Sequence, residues 1–198
     1  MIKAVVFDYG GVIELKEGDL VKEIADSLGI TKEEWQKKYF SFNHLSNVGK
    51  VSTHEVFALV CKELGASHEQ TSCVIDIINK FDKKRILNLG LLEIIRSLKE
   101  KKYKIGLISN YSAVLREKLV RHNIIDLFDA VVISNEVGYQ KPQPEIFEKL
   151  FEMLGVENFE TIIIDDTPNS LRNSDDIGYI PLLYTDNKKL KKDLLRIL

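Results

Sequence analysis

The sequence has few of the residues that mark secreted, fibrous or membrane-spanning proteins. Cys61 and Cys73 are the two cysteines in 198 residues, and their spacing is not that of a metal site. This low number excludes a disulfide-rich scaffold, and since both fall within helical patterns we interpret them as buried free thiols. Eleven glycines and four prolines are too few for a low-complexity chain. No uninterrupted apolar run approaches the roughly 18 residues of a membrane span.

An excess of either charge is also missing. Lysine and arginine number 28 against 30 acidic residues, a formal net charge of −2, so neither nucleic acid nor a membrane is an expected partner. Apolar residues make up 44% and charged residues 29%, which is typical of a soluble globular protein. The chain starts directly with a strand and shows no basic segment followed by a cleavable apolar one. We therefore expect a cytoplasmic protein, either a monomer or a homodimer.

An aspartate at the end of an apolar strand is the most informative feature that is present. Residues 4–7 are Ala-Val-Val-Phe, which predicts a buried strand, and Asp8 is followed at once by Tyr9-Gly10-Gly11. A buried strand has no structural use for a carboxylate at its end, and glycines let the backbone turn sharply and approach a ligand. Open α/β sheets place their chemistry at this edge. We interpret Asp8 as a catalytic or metal-binding residue rather than a plain turn residue.

Other polar side chains follow apolar segments in the same way. They are Ser109 and Asn110 after residues 104–108, Lys141 before Pro142, and Asp165 and Asp166 after residues 161–164. Adjacent carboxylates repel each other unless a cation lies between them, and several oxygen ligands suit Mg²⁺. Ser109 and Lys141 supply a hydrogen-bond donor and a positive charge for phosphate oxygens. Together these residues predict a site for phosphate and a divalent cation.

Helices and strands alternate from residue 89 to the end of the chain. Such alternation with short links indicates a parallel sheet with helices on both faces. The first strand must join this sheet, because a lone strand could not satisfy its backbone groups. We predict an α/β fold with a doubly wound, Rossmann-like core formed by residues 1–13 and 88–198.

Residues 14–87 are predicted to be helical throughout. Thr31-Lys32-Glu33-Glu34 and Ser52-Thr53-His54-Glu55 have the sequence of a capping box, and Ser67 begins another helix. Gly29 and Gly65 mark helix ends. Four short amphipathic helices without strands form a small bundle, which we expect to be inserted after the first strand.

Taken in order, these motifs resemble the haloacid dehalogenase-like (HAD) hydrolase superfamily, and in particular its phosphatase-type members with a helical cap after the first strand. Asp8 matches the family nucleophile, Ser109 the second motif, Lys141 the third, and Asp165 and Asp166 the acidic fourth motif. The resemblance spans nearly the whole chain. It is therefore far more specific than any single motif.

The resemblance implies a Mg²⁺-dependent phosphatase for a small phosphorylated metabolite, for example a sugar phosphate. Asp8 would attack phosphorus and form an aspartyl-phosphate that water then cleaves. The implied metal ligands are Asp8, the carbonyl of Gly10, Asp165 and Asp166. The implied phosphate ligands are the amides of Tyr9 and Gly10, Ser109, Asn110 and Lys141. For Asn110 the alternative, which the sequence supports equally, is that it only caps the following helix.

The sequence departs from the family pattern at Gly10, where most phosphatases carry a second aspartate as general acid and base. Such proton transfer is worth about 10²–10⁴ in rate. Three hypotheses follow. The protein is a phosphatase for substrates whose leaving group needs little protonation, such as anomeric or acyl phosphates. Alternatively it is a binding protein with very slow turnover, or a 2-haloacid dehalogenase. A dehalogenase needs no metal and uses a cap arginine, whereas the insertion's only arginine, Arg85, lies near its end. The acidic pair decides against that reading.

The sequence also differs from the family pattern after Asp166. Relatives often have Asn or Asp four or five residues further along the chain. Ser170 and Leu171 stand there, with Asn169 one position early. His44 and His54 are the histidines of the insertion that we considered as replacement acids. We expect His54 to be exposed in its helix and His44 to lie in a loop, so neither is assigned to the site.

Overall fold

The computed structural model describes residues 1–15 and 17–198. Its strands are β1 (Ala4–Phe7), β2 (Glu14–Leu15), β3 (Ile86–Leu87), β4 (Lys104–Ser109), β5 (Ala130–Ile133), β6 (Thr161–Asp165) and β7 (Ile180–Leu183). Its helices are α1 (Leu20–Leu28), α2 (Lys32–Asn47), α3 (Thr53–Glu63), α4 (His68–Lys83), α5 (Leu89–Glu100), α6 (Val114–Arg121), α7 (Ser134–Val137), α8 (Pro144–Leu154), α9 (Pro168–Leu171), α10 (Ser174–Ile177) and α11 (Asn187–Ile197). Short 3₁₀ helices cover Ile125–Leu127 and Asn158–Glu160.

A parallel sheet with the strand order β5-β4-β1-β6-β7 forms the centre of the molecule. β1 lies in the middle, where Phe7 is paired with Leu107 of β4 on one side and with Ile164 of β6 on the other. Successive side chains of a strand point to opposite faces, so β1 contributes Val5 and Phe7 to one core and Ala4 and Val6 to another. The predicted doubly wound α/β fold is confirmed.

Helices cover both faces of this sheet. Apolar residues of α5, α6 and α11, among them Leu91, Leu115 and Leu190, pack in the first core. The second core is closed by α8 through residues such as Phe147 and Leu150. Burial on both faces explains why the strands are continuous apolar runs rather than alternating ones.

The helices α1 to α4 pack around a third core of their own, and we call residues 20–83 the helical insert. Trp35, Val56, Val60 and Val74 are among its fully or nearly fully buried members. The predicted helix starts agree with the structure, because Thr31, Ser52 and Ser67 each form a capping box with the residue three positions on.

Two short antiparallel strands connect the helical insert to the sheet. In β2 and β3, Glu14 pairs with Leu87 and Leu15 with Ile86. The side chain of Asn88 reinforces this junction by donating hydrogen bonds to the Val12 carbonyl at 3.0 Å and the Tyr184 hydroxyl at 2.8 Å. Strands of two residues carry no periodicity, which is why the sequence did not predict them.

Three local expectations were wrong or incomplete. The sequence pattern also predicts one short helix near residues 170–176, where the structure has two, α9 and α10, and it does not predict α7. Cys61 is buried as expected, but Cys73 is exposed. Cys73 is exposed because the buried stripe of α4 runs along Val74, Ile78 and Phe81.

Among the described residues, no helix combines the length and the apolar character needed to cross a membrane.

Candidate active site

The polar residues singled out by the sequence lie at the carboxyl edge of the parallel sheet. Asp8 follows β1 directly, Ser109 is the last residue of β4, and Asp165 is the last residue of β6. The Asp8 amide donates a hydrogen bond of 2.9 Å to the Ile164 carbonyl, which places Asp8 beside Asp165. Because β1, β4 and β6 are adjacent and parallel, their ends bring together residues that are far apart in the chain.

Lys141 connects two of these carboxylates. Its Nζ lies 2.8 Å from Asp8 Oδ1 and 2.5 Å from Asp165 Oδ2, and it donates a further hydrogen bond of 3.1 Å to the Ile108 carbonyl. Burial alone would lower the pKa of this ammonium group, but the charges of Asp8 and Asp165 raise it above its usual value. Lys141 therefore remains charged and holds both carboxylates in position.

The loop that carries Lys141 is held by two asparagines. Asn110 pairs with the backbone of Lys141, accepting from its amide at 2.7 Å and donating to its carbonyl at 2.9 Å. Asn173 donates to the Pro142 carbonyl at 2.9 Å, and the Lys141–Pro142 peptide bond is cis. Asn110 was predicted to bind phosphate or to cap a helix. The side chain does not cap α6, whose start lacks a side-chain hydrogen bond, but positions the Lys141 loop.

Asn173 was missed by the sequence reasoning. The sequence offers Asn169 as the residue that supports the acidic pair or Lys141, but its Oδ1 accepts a hydrogen bond of 3.1 Å from Arg172. The turn between α9 and α10 places Asn173 against the Lys141 loop instead. No signal in the sequence gives this contact, because it depends on how two short helices follow each other.

Three carboxylates form a cluster that fits a divalent cation. Asp8, Asp165 and Asp166 each offer one oxygen, and these oxygens lie within 4.8 Å of one another. Burial raises the pKa of Asp165 to about 6, with Lys141 acting in the opposite direction and the negative charge of Asp8 in the same one. Such a set of hard oxygen donors is suited to Mg²⁺.

The two glycines after Asp8 differ in the space that a side chain would find at each position. Gly11 has φ of +82°, and a Cβ there would lie 2.1 Å from Asp166 Oδ2, so any other residue would strain the backbone and displace the Asp166 carboxylate. Gly10 has no atom within 4 Å of the place a Cβ would take, and it lines the cavity described next. A side chain therefore fits at position 10 but not at position 11.

The backbone of this loop is closed by Glu14. The Gly11 amide donates to the Glu14 carbonyl at 2.8 Å, and the Glu14 amide donates to the Tyr9 carbonyl at 2.8 Å. The Gly10 amide takes no part in these bonds. Tyr9 and Gly10, predicted from the resemblance to bind phosphate through their amides, thus lie in a short rigid turn beside Asp8.

A cavity of about 960 Å³ lies between the sheet edge and the helical insert. The sheet side contributes Asp8, Gly10, Ser109, Lys141, Asp165 and Asp166, and the insert contributes Tyr39, Asn43, His44, Asn47, Thr53 and His54. His44 lies within α2 and not in a loop as expected. Both histidines are exposed and face the cavity, and the ring of His54 also contacts Asn79 at 3.2 Å.

The end of α2 joins the helical insert to the site. Asn47 donates from Nδ2 to Gln140 Oε1 at 2.8 Å, directly beside Lys141, and accepts at its carbonyl from the Ser134 hydroxyl at 2.6 Å. Asn135 donates to the Ser46 carbonyl at 3.2 Å. These bonds hold the end of α2 against α7 and the loop that carries Lys141.

Comparisons with known proteins agree with this geometry. Residues 5–179 match the model of the haloacid dehalogenase-like hydrolases, and the chain belongs to this family. It is 25% identical over 194 residues to the D-ribitol-5-phosphate phosphatase of Bacteroides thetaiotaomicron, covering 90% of each protein. It is 32% identical over 114 residues to the glyceraldehyde 3-phosphate phosphatase of Methanopyrus kandleri, covering 56% of this chain and 49% of that protein.

A solved structure shares the whole fold. This is a HAD family enzyme of Bacteroides thetaiotaomicron in complex with magnesium and inorganic phosphate, with a TM-score of 0.68 and 22% identity over 96% of this chain and 99% of that one. At this identity the likeness establishes the fold. The chain spans about a third to a half of the length of the glyceraldehyde 3-phosphate phosphatases that it matches.

Proposed function

We propose that this protein is a Mg²⁺-dependent phosphatase for small phosphorylated metabolites, with Asp8 as the nucleophile. The observation that carries the proposal is the convergence of Asp8, Asp165 and Asp166 around the buried Lys141 at one end of a cavity. The phosphatases to which the chain is similar support the reaction type, and the magnesium complex of the structural neighbour supports the metal.

Each residue of the site has its own role in the proposed hydrolysis of a phosphate ester. Asp8 would attack phosphorus as the bond to the ester oxygen breaks and the leaving group departs as an alcohol, taking its proton from water. A second water would then cleave the aspartyl-phosphate and release inorganic phosphate and the Asp8 carboxylate. Lys141 orients the Asp8 carboxylate and, with Ser109 and the amides of Tyr9 and Gly10, holds the phosphoryl oxygens. Asp8, Asp165, Asp166 and the Gly10 carbonyl would hold Mg²⁺, whose charge would offset that of the nucleophile and the phosphate. Asn110 acts through Lys141, whose backbone it holds.

The nature of the cavity suggests a polar leaving group. Hydroxyl, amide and imidazole groups of the helical insert line it, among them Tyr39, Asn43, His44 and Thr53. Such groups suit the hydroxyls of a sugar or polyol phosphate. Gly10 offers no proton to the departing oxygen, which favours anomeric or acyl phosphates, whose leaving groups need little protonation.

A second candidate is a phosphate-binding protein with very slow turnover, and Gly10 is the observation that favours it. A 2-haloacid dehalogenase is a weaker candidate, because the cluster of Asp165 and Asp166 would then hold negative charge without a role.

A panel of phosphate esters with and without Mg²⁺ tests the proposal. We expect hydrolysis of anomeric sugar phosphates with Mg²⁺, loss of hydrolysis in excess chelator, and recovery when Mg²⁺ is returned. Phosphate release measures turnover, and calorimetry measures Mg²⁺ binding independently. Asp166→Asn should weaken that binding, whereas Asp175→Asn, which changes an exposed carboxylate of α10, should not. Full activity in chelator would refute the metal. Mg²⁺ and phosphate binding without turnover of any ester would favour the second candidate.

Gly10→Asp should raise turnover of esters with poor leaving groups. The cavity has room for the side chain, and a carboxyl group there can protonate the departing oxygen. We expect a gain of up to about 10²–10⁴ in kcat for a primary-alcohol phosphate, and a smaller gain for an anomeric one. Steady-state kinetics on the two esters measure the difference. Gly10→Asn is the matched control, because it has the same size but donates no acidic proton. Equal rates for the two variants would contradict the proton-transfer argument.

A further inference from the structure

Two cations line the cavity on the side of Tyr111, and both bind one buried carboxylate. Glu14 is 3% exposed and accepts from Arg85 Nη1 at 2.9 Å and from Lys118 Nζ at 3.1 Å. The Tyr9 hydroxyl also donates to Glu14, at 3.1 Å. Arg85, Tyr111 and Lys118 belong to the cavity lining, whereas Glu14 lies behind them. We call Arg85 and Lys118 the cationic wall.

The cationic wall has more positive charge than its buried partner neutralises. Glu14 supplies one negative charge for two cations. Asp82, which also lines the cavity, pairs with Arg85 at 2.7 Å, but its side chain is 46% exposed and water screens that interaction. Burial would lower the pKa of Lys118, but its hydrogen bond and charge interaction with Tyr111 and the charge of Glu14 raise it. The pKa of Arg85 is also raised, against the effect of burial, so both groups remain charged.

Hydrogen-bond donors of the cationic wall remain available as well. A guanidinium has five N–H groups and an ammonium three. In the described part of the chain, Arg85 uses Nε and Nη2 on Asp82 and Nη1 on Glu14, and Lys118 uses its donors on Glu14 and the Tyr111 hydroxyl. Two N–H groups of Arg85 and one of Lys118 are therefore left for a ligand with several acceptor oxygens.

The cationic wall is separate from the residues that hold the phosphoryl group. Lys141 binds Asp8 and Asp165, whereas Lys118 and Arg85 bind Glu14. The ring of Tyr111, whose hydroxyl accepts from Lys118, packs edge to face on the ring of Tyr9, with centroids 5.7 Å apart, and Tyr9 is the residue next to Asp8. A ligand group on the cationic wall would therefore belong to the leaving group and not to the phosphate that is transferred.

We propose that Arg85 and Lys118 form a second anion-binding site for substrates whose leaving group carries a carboxylate or a second phosphate. This inference rests on the proposed function and narrows its substrate class to phosphorylated sugar acids and bisphosphates. A carboxylate and a phosphate share the oxyanion chemistry that an arginine and a lysine recognise. Glu14 positions both Arg85 and Lys118 to bind such an anionic group.

Matched substrate pairs test the site. The carboxylate arm compares galacturonic acid 1-phosphate with galactose 1-phosphate, and the phosphate arm compares glucose 1,6-bisphosphate with glucose 1-phosphate, so that every ester carries the anomeric phosphate that the proposed function favours. We expect the wild-type protein to prefer the anionic member of at least one pair by about 10- to 100-fold in kcat/KM, the effect of one hydrogen bond between charged groups. Lys118→Gln should bring that ratio close to one, and Lys118→Arg should retain it. Arg172→Gln removes another cavity-lining cation outside the cationic wall and should retain the ratio too.

The outcomes separate this inference from the proposed function. Hydrolysis with no preference for either anionic ester in the wild-type protein overturns the second site and leaves the phosphatase intact. Calorimetry on Asp8→Asn with the same four esters measures binding without turnover. Tighter binding of an anionic ester there, lost in Asp8→Asn with Lys118→Gln, supports the site even if the wild-type protein hydrolyses nothing. Equal binding of all four esters overturns it.

Discussion

Asp8→Asn should abolish phosphate-ester hydrolysis, with a fall in kcat of about 10⁴–10⁶, the size seen when a catalytic nucleophile is removed. An amide oxygen does not attack phosphorus, so no aspartyl-phosphate forms. The substituted side chain still has an oxygen that can accept the hydrogen bond from Lys141, so the fold should be retained. Phosphate release from an anomeric sugar phosphate measures the effect.

The matched control is again Asp175→Asn, which should keep full activity. Asp8→Ala provides a second variant that cannot revert to aspartate by deamidation. Circular dichroism checks that each variant is folded. Hydrolysis that continues at the wild-type rate in both Asp8 variants would remove Asp8 from the mechanism.

Lys141→Met should lower the free energy of unfolding by about 3–5 kcal/mol, the effect of breaking a buried ion pair by removing one partner. Lys141 is 4% exposed and is the cation between the carboxylates of Asp8 and Asp165. Without it, two buried negative charges face each other. Urea unfolding at pH 8, without added metal, measures the difference.

The free energy of unfolding that Lys141→Met loses should depend on pH, and the pKa of Asp165 sets the direction. Burial already raises the pKa of this carboxyl group to about 6, and removing Lys141 takes away an interaction that lowers it. A carboxyl group whose pKa is higher in the folded than in the unfolded protein destabilises the fold when it is ionised. This destabilisation is largest at pH 8 and decreases as the pH falls through 6 toward 5.

Lys149→Met is the control for this measurement. Lys149 lies on α8, and its pair with Glu152 at 3.3 Å is exposed on both sides. Removal of such a pair should cost about 0.5 kcal/mol or less at either pH. Similar losses for the two lysine variants would show that the buried cation does not stabilise the fold.

Local patterns were enough to predict the architecture and which polar side chains the strand ends bring together. Residues 4–7, 104–108 and 161–164 are apolar runs, and the structure makes them adjacent parallel strands. Once the strands are parallel, their carboxyl ends must share one edge, so Asp8, Ser109 and Asp165 meet there. The helix starts of the helical insert were equally predictable, because a capping box involves residues three positions apart.

The positioning of Lys141 was not predictable in the same way. Asn110 and Asn173 each hold the Lys141 loop across 31 positions of sequence, and neither lies in a pattern that points to that contact. Asn110 even has two plausible roles in the sequence alone, and the structure shows a third.

The sequence by itself determined the five strands of the parallel sheet, the longer helices, the helical insert and the polar residues at the strand ends, because each depends on residues close together in the chain. The tertiary structure alone decided which residues face the cavity, among them His44 and Asn47 from α2, and Arg85 and Lys118, which both bind Glu14. Glu14 and Lys118 are 104 positions apart. Contacts at such separations depend on how whole elements pack, and no local periodicity contains that information.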